Sequence, residues 1–330
     1  MKNTRGLVLF SGSLASVLAV QLAQRAGLRE LYLLFLRSPF FRNEEGVART
    51  ARALKLPLRS VTMKREFLRL PTMDGKAFPC GPCRRVLLER AARILRRHKF
   101  DLVVTGEVVG NGGLSAEELA LLDEEVGLAG RVFRPLSARL LPPTLAEREG
   151  LVDRGGTLDL RAEDSLLTRL PGLAQELGIS LRVSERHCLL ADPVFAQRCQ
   201  ELGRDRNLRF TANLLQLLEF PHLFRLPYGT VLVVATTPAE QVRLQDLFLP
   251  EDVRLYLALP GSPLGLVRGP WTKLPPEARE HVVRVAAQKL LMLGGFNTSL
   301  AFTVCFRTEE AEETTRLRLA PLQGGFSLVN

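Results

Sequence analysis

Three short segments of this 330-residue chain bring together side chains able to do chemistry. Ser11-Gly12-Ser13-Leu14-Ala15-Ser16 sets small residues and hydroxyls between an apolar run and a helix-like stretch. Small side chains let backbone N–H groups and Ser hydroxyls close on an anion at the positive end of a helix, so the segment reads as a phosphate cradle or as a tight turn whose serines cap the helix. Cys80-Gly81-Pro82-Cys83 has the C-x-x-C spacing of metal, iron–sulfur or redox chemistry, and Cys188 adds a third thiol far along the chain. Thr105-Gly106-Glu107 ends a strand-like run with a hydroxyl and a carboxylate. Glu107 there is placed to position Mg2+ or a substrate hydroxyl, or to cap a helix.

The remaining candidates read more plainly. Five cysteines, an odd number, with no signal-peptide pattern at the N-terminus argue against a disulfide framework, and Cys199 and Cys305 read as core or surface thiols. His187 adjoins Cys188, but neighbours on an extended segment point to opposite sides, which argues against ligation. His98, His222 and His281 show no metal spacing.

The elements that must position these residues follow from the apolar pattern. Gly6–Phe10, Leu58–Thr62 and 101–105 read as strands and Glu30–Leu36 as a buried strand, and Leu14–Arg25, a stretch from Asn43 to about Leu54, and Cys83–His98 read as helices. Alternating strands and helices predict an α/β domain with a parallel sheet covered on both faces, where ligands sit beyond the carboxyl ends of the strands. Helices over 164–177, beyond Asp192-Pro193 and over 276–292, with strand-like runs at 228–236, 255–259, 261–269 and 300–306, predict smaller α+β regions. The expected division is 1–175, 176–250 carrying the third cysteine, and 251–330.

Composition sets the class. Hydrophobic residues at 46% and charged residues at 24% exclude wholesale disorder and fibrous rods. The apolar runs fall short of the ~18–20 residues needed to cross a bilayer, so no membrane partner is expected and the chain reads as cytoplasmic. Lys+Arg 45 against Asp+Glu 35 gives +10, and residues 1–100 hold 21 of the basic and 6 of the acidic residues, a net +15. Such asymmetry is the electrostatic footprint of a nucleic-acid or polyphosphate partner. Arg84, Arg85, Arg90, Arg93, Arg96, Arg97 and Lys99 are candidates for RNA phosphate contacts or for a solvated helix face.

Taken in order, the motifs resemble those of the PP-loop ATPase superfamily, in particular the tRNA 2-thiouridine and 4-thiouridine sulfurtransferases. Ser11-Gly12-Ser13-Leu14-Ala15-Ser16 is similar to the family's Ser-Gly-Gly-x-Asp-Ser, Pro79-Cys80-Gly81-Pro82-Cys83 to its Pro-Cys-x-x-Cys, and Thr105-Gly106-Glu107-Val108-Val109-Gly110 to its Thr-Gly-Glu-Val-x-Gly. Arg134-Pro135-Leu136-Ser137-Ala138 and Cys188-Leu189-Leu190-Ala191-Asp192-Pro193 extend the resemblance, which covers roughly residues 5–250. It implies an adenine nucleotide alpha hydrolase-like fold and ATP-dependent adenylation of an RNA base, followed by sulfur transfer. Ser11, Gly12, Ser13, Ser16, Thr105, Gly106 and Glu107 would then bind ATP with Mg2+. Cys80, Cys83 and Cys188 would carry a [4Fe-4S] cluster or a persulfide. The implied partners are tRNA or another RNA and a sulfur donor, either sulfide or a cysteine desulfurase.

Two departures define an alternative. Ala15 stands where the family carries Asp, a carboxylate able to help hold Mg2+, and Ser13 stands where it carries a second Gly. A paralogue that binds RNA or a cluster without turning over ATP is the corresponding reading.

Overall fold

Short apolar runs bounded by turns build the first half of the chain. A computed structural model describes residues 4–41, 44–63, 80–164, 166–179, 188–203, 210–297 and 299–321, and the chain divides into two compact units, Met1–Ala212 and Asn213–Asn330. The first unit runs β1 (Arg5–Leu9), α1 (Leu14–Arg25), β2 (Glu30–Arg37), α2 (Glu44–Ala53), β3 (Leu58–Thr62), α3 (Cys80–His98), β4 (Leu102–Thr105), α4 (Ala116–Glu125), β5 (Val132–Phe133), α5 (Leu166–Glu176) and α6 (Pro193–Gly203). Its five strands are all parallel, in the order β3-β2-β1-β4-β5. This is the expected α/β architecture. The proposed cap Asn43 lies outside the described residues.

Burial explains the sequence pattern. Parallel strands covered on both faces must be apolar on both, and β4 is buried at every position. Helix α1 is buried on two sides for the same reason. Val17 and Val20 join Val8, Phe10 and Phe35 in one core cluster, whereas Leu18 and Leu22 pack with Leu173 and Ala174 of α5 in another.

The strand order also fixes where the loops meet. From β1 the chain builds outward through β2 and β3, then returns to the other side of β1 with β4, so the order reverses between β1 and β4. Open α/β sheets bind ligands in the crevice at such a reversal, beyond the carboxyl ends of the strands. Leu9 at the end of β1 pairs with Leu34 on one side and with Thr105 on the other. The serine loop and Thr105-Gly106-Glu107 therefore leave the sheet side by side. Gly106 is required by that closeness, because a Cβ there would stand 2.6 Å from the Ala15 carbonyl oxygen and 2.8 Å from the Ser16 nitrogen. Gly12 has a positive φ of 75° and lies against Val47 of α2.

The second unit is antiparallel. Helices α7 (Ala212–Leu217), α8 (Pro238–Gln245) and α9 (Pro276–Leu293) accompany β6 (His222–Leu226), β7 (Thr230–Ala235), β8 (Val253–Leu257), β9 (Leu264–Arg268), β10 (Phe302–Thr308) and β11 (Thr315–Leu319). The strands lie in the order β11-β10-β8-β9-β7-β6. Val282, Ala286 and Leu290 of α9 pack with Leu232, Leu255 and Val304, while Leu217 and Leu244 pack with Val233 and Leu266.

The domain limits read from sequence need correction on two counts. A boundary at 250 would cut one sheet, since β7 pairs with β9 and β9 with β8. The stretch around Cys188 belongs with the first unit: the Leu189 N–H donates to the Phe40 carbonyl at 3.0 Å, and Phe195 meets Phe40 edge to face at 6.4 Å. Among the described residues no helix is long and apolar enough to cross a membrane.

The packing of Gly106 is open to a direct check. Gly106→Ala forces backbone against backbone and should cost about 1–3 kcal/mol. Gly172→Ala, inside α5 with nothing within 4 Å of the added carbon, should stabilise by about 0.5–1 kcal/mol. Thermal unfolding of the two variants should therefore shift in opposite directions.

Candidate functional site

Helix α1 begins where β1 ends, and its first turn is organised by hydroxyls. Ser13 is the N-cap, its Oγ accepting from the Ser16 N–H at 3.2 Å. Ser11 Oγ donates to Ser13 Oγ at 3.0 Å, and Ser16 Oγ donates back to the Ser13 carbonyl at 2.8 Å. The serines thus do cap the helix. Capping and anion binding are compatible, because a helix start leaves several N–H groups without an intrahelical acceptor and carries about half a positive charge.

A cavity of about 310 Å³ opens over this turn. Its lining includes Ser11, Ser13, Ser16, Thr105, Gly106 and Glu107, six of the seven residues singled out for nucleotide binding; Gly12 supplies the turn rather than the wall. Leu34, Phe35, Leu36 and Phe41 form an apolar side, and Arg84, Leu87 and Leu88 of α3 another. The size lies at the lower end of small-ligand pockets, and a few polar groups set in apolar walls are their usual lining.

The charged groups around the cavity form one chain. Glu107 Oε1 pairs with Arg84 Nε at 3.1 Å, and its Oε2 accepts from Arg134 Nε at 2.8 Å and from the Thr105 hydroxyl at 3.1 Å. Arg134, fully buried just after β5, donates from Nη1 and Nη2 to the two carboxylate oxygens of Asp123 on α4, at 2.7 and 2.8 Å. Burial alone would raise the Glu107 pKa, but the charges of Arg134 and Arg84 and the hydrogen bonds from Arg134 and Thr105 outweigh it, so the carboxyl is held below its usual range. Burial likewise works against the Arg134 charge, and Glu107 and Asp123 more than compensate. The Arg134 and Asp123 roles were not anticipated from sequence, where each residue alone reads as a surface charge.

Arg84 serves the cavity rather than the outer surface. Its Nη2 donates to the Asn111 carbonyl at 2.5 Å, holding the 111–113 turn against α3. Its Nη1 is buried and, among the described residues, meets no hydrogen-bond acceptor. The basic run from α3 to Lys99 therefore divides, with Arg90 half-buried between the two groups. Arg84 and Arg85 turn to Glu107 and Glu125, whereas Arg93, Arg96, Arg97 and Lys99 are exposed.

Cys80 and Cys83 lie at the start of the helix whose Arg84 lines the cavity, and Cys188 on a segment bonded to a neighbour of the cavity wall. Helix α3 starts at Cys80, earlier than the pattern suggested, which places the C-x-x-C within its first turn. Cys83 is buried and directly precedes Arg84. Cys188 opens a short 3-10 turn, next to the Leu189 N–H that bonds to Phe40, itself adjacent to Phe41 in the cavity wall. The Cys80 side chain, residues 64–79 and His187 lie outside the described residues. Among the described residues no three His, Cys, Asp or Glu side chains are grouped to hold a metal ion. Cys199 is a core thiol on α6, pushed up to about 12 by burial.

No family model matches the chain. No curated protein matches it either. Among solved structures it is similar to a predicted subunit of tRNA methyltransferase from Methanocaldococcus jannaschii DSM, at 14% identity and a TM-score of 0.34, over 56% of this chain and 95% of that one.

The ion chain makes two testable demands. Arg134→Met leaves two buried carboxylates short of a partner and should destabilise the first unit by about 3–5 kcal/mol in urea unfolding. Because the folded-state pKa of Glu107 is depressed, its contribution to stability is complete above the ordinary value of 4.5 and is lost as pH falls through the lower folded value. Glu107→Gln lacks that contribution, so the stability gap between it and the wild type should be widest near neutrality and should close on acidification.

Proposed function

We propose that the first unit is a nucleotide-binding domain of PP-loop type that adenylates a carbonyl oxygen of an RNA base and exchanges that oxygen for sulfur. The observation that carries the reading is the cavity at the β1/β4 reversal, lined by the serine loop and by Thr105-Gly106-Glu107. Its apolar wall of Leu34, Phe35, Leu36 and Phe41 suits a purine ring, and the α1 start with its serines suits phosphate.

In the reaction the base oxygen attacks the α-phosphorus of ATP and pyrophosphate leaves. Sulfur then attacks the activated carbon, and AMP departs with the oxygen. In the persulfide route a cysteine desulfurase loads sulfur on Cys83 or Cys188, the outer sulfur bonds to the base carbon, a second thiolate of the trio with Cys80 cleaves the S–S bond, and an external dithiol reduces the resulting disulfide. A donor set of three thiolates also suits a [4Fe-4S] cluster, which would supply an open iron position for incoming sulfide. The start of α3 favours thiolate over thiol in either case. The exposed basic groups Arg93, Arg96, Arg97 and Lys99, in the part of the chain with net charge +15, support an RNA partner.

A second reading, nucleotide binding without turnover, is favoured by one feature: Ala15 leaves the loop without a carboxylate, and Glu107 is engaged by two guanidinium groups. Pyrophosphate release from ATP by the anaerobically purified protein, with and without bulk tRNA, separates the two. The sulfur-transfer reading expects release stimulated by tRNA, and loss of thiolated product in Cys83→Ser and Cys188→Ser with Cys199→Ser unaffected. Nucleotide binding with no release in any condition would leave the second reading standing.

RNA binding is tested separately by salt. For several phosphate contacts the slope of log K against log salt should be about −3 or steeper, and Arg93→Glu with Arg97→Glu should flatten it. Binding insensitive to salt would remove the RNA assignment.

A further inference from the structure

We propose that the cavity takes its phosphate-bearing ligand without a divalent cation, the Arg84 guanidinium standing in the place of the metal. The inference rests on the nucleotide-binding reading and adds the ionic form of the ligand and the residue that neutralises it.

The donor set of the cavity does not fit Mg2+. That ion is bound through one or two carboxylates plus substrate phosphates, and it needs oxygen ligands with lone pairs to spare. Position 15 in the loop is Ala, and Glu107 is the one carboxylate among the described lining residues. Both Glu107 oxygens are committed, one to Arg84 and the other to Arg134 and Thr105. A cation entering there would have to displace a guanidinium from each side.

The same geometry suits an anion. Arg84 is held at two of its three nitrogens, Nε by Glu107 and Nη2 by the Asn111 carbonyl, so the orientation of its planar head is set before any ligand arrives. The third nitrogen, Nη1, is the buried one with no acceptor among the described residues, and Arg84 lines the cavity. A buried donor without an acceptor is costly; Nη1 has no accessible surface, so a phosphate in the cavity feels the charge of the Arg84 head and bonds Nη1 only once the wall around it opens. The same cavity is lined by Ser11, Ser13 and Ser16 at the α1 start, a second source of positive potential and donors. A fixed guanidinium also differs from a metal in arriving with the protein rather than with the ligand, so affinity should not follow the metal content of the solution.

The test is calorimetric titration of the full chain with ATP, once in excess EDTA and once in millimolar Mg2+, repeated with Arg84→Gln and with Arg169→Gln, an exposed control on α5. Wild-type affinity should differ by less than about tenfold between the two conditions, and Arg84→Gln should weaken binding in EDTA by about tenfold or more, the worth of one charge-assisted hydrogen bond. The control should bind as the wild type does. Affinity that rises by tenfold or more with Mg2+ overturns the inference and leaves the nucleotide reading intact, as does an Arg84→Gln variant that binds normally in EDTA. Absence of ATP binding in both conditions overturns the inference and the nucleotide reading together. The wild-type comparison needs no variant, so a poorly folding Arg84→Gln does not blunt it.

Discussion

The first unit is organised around a single carboxylate. Glu107 sits just past β4, accepts from Arg84 of α3 on one oxygen and from Arg134 beyond β5 on the other, and Arg134 is in turn clamped by Asp123 of α4. Four separate segments are thereby held at one edge of the sheet. Removing such charges from water is expensive unless every one of them is paired with good geometry. Alternative placements of α3 or α4 would leave one group unpaired, so the chain specifies this arrangement as much as it stabilises it. Below the network, Gly106 lets the β4 end touch the α1 start, and the cavity is what remains between them.

Much of this was legible in the sequence, for reasons that differ by element. The limits of α1 and β3 follow from apolar runs bounded by a serine cap and by turn residues, and the structure keeps them. The meeting of Ser11–Ser16 with Thr105-Gly106-Glu107 was legible because strand alternation predicts parallel pairing, which brings the carboxyl ends together. Helix α4 was not, although Ser115 and Glu118 form a capping box, because its exposed acidic residues dilute the periodicity. The two-residue β5 is too short to leave a pattern. The Arg134–Asp123 pair was hidden for a deeper reason: a buried ion pair is a tertiary fact, and each partner alone reads as a surface charge.

The same distinction explains the misplaced boundaries. Helical and strand-like runs in the second half suggested cuts near 175 and 250, yet sheet membership decides domains. β6 and β7 precede the suggested cut and pair, through β9, with strands that follow it. Cys188 likewise belongs with the first unit by a backbone hydrogen bond to Phe40 and an aromatic contact through Phe195, neither of which has a sequence signature. That anchoring matters chemically, because it puts the segment of the third cysteine on the unit that carries the C-x-x-C.

A guanidinium and a magnesium ion neutralise phosphate in different ways, and the difference bears on turnover. A metal bridging phosphate oxygens can move with the departing pyrophosphate and keep its charge balanced along the whole reaction path. Arg84 is tied to Glu107 and Asn111 and stays where α3 places it. A preorganised donor of that kind costs no reorganisation, which is an advantage where charge develops at a fixed point. It favours the transition state only if the charge develops within its reach; otherwise it holds ground state and product equally and raises affinity without raising rate. On the nucleotide-binding reading proposed above, the choice between turnover and binding alone reduces to a geometric matter: which phosphate lies nearest the Arg84 guanidinium. Contact with the α-phosphate, where the base oxygen attacks, makes the fixed charge catalytic, and contact with the β- or γ-phosphate makes it a clamp that slows the departure of pyrophosphate.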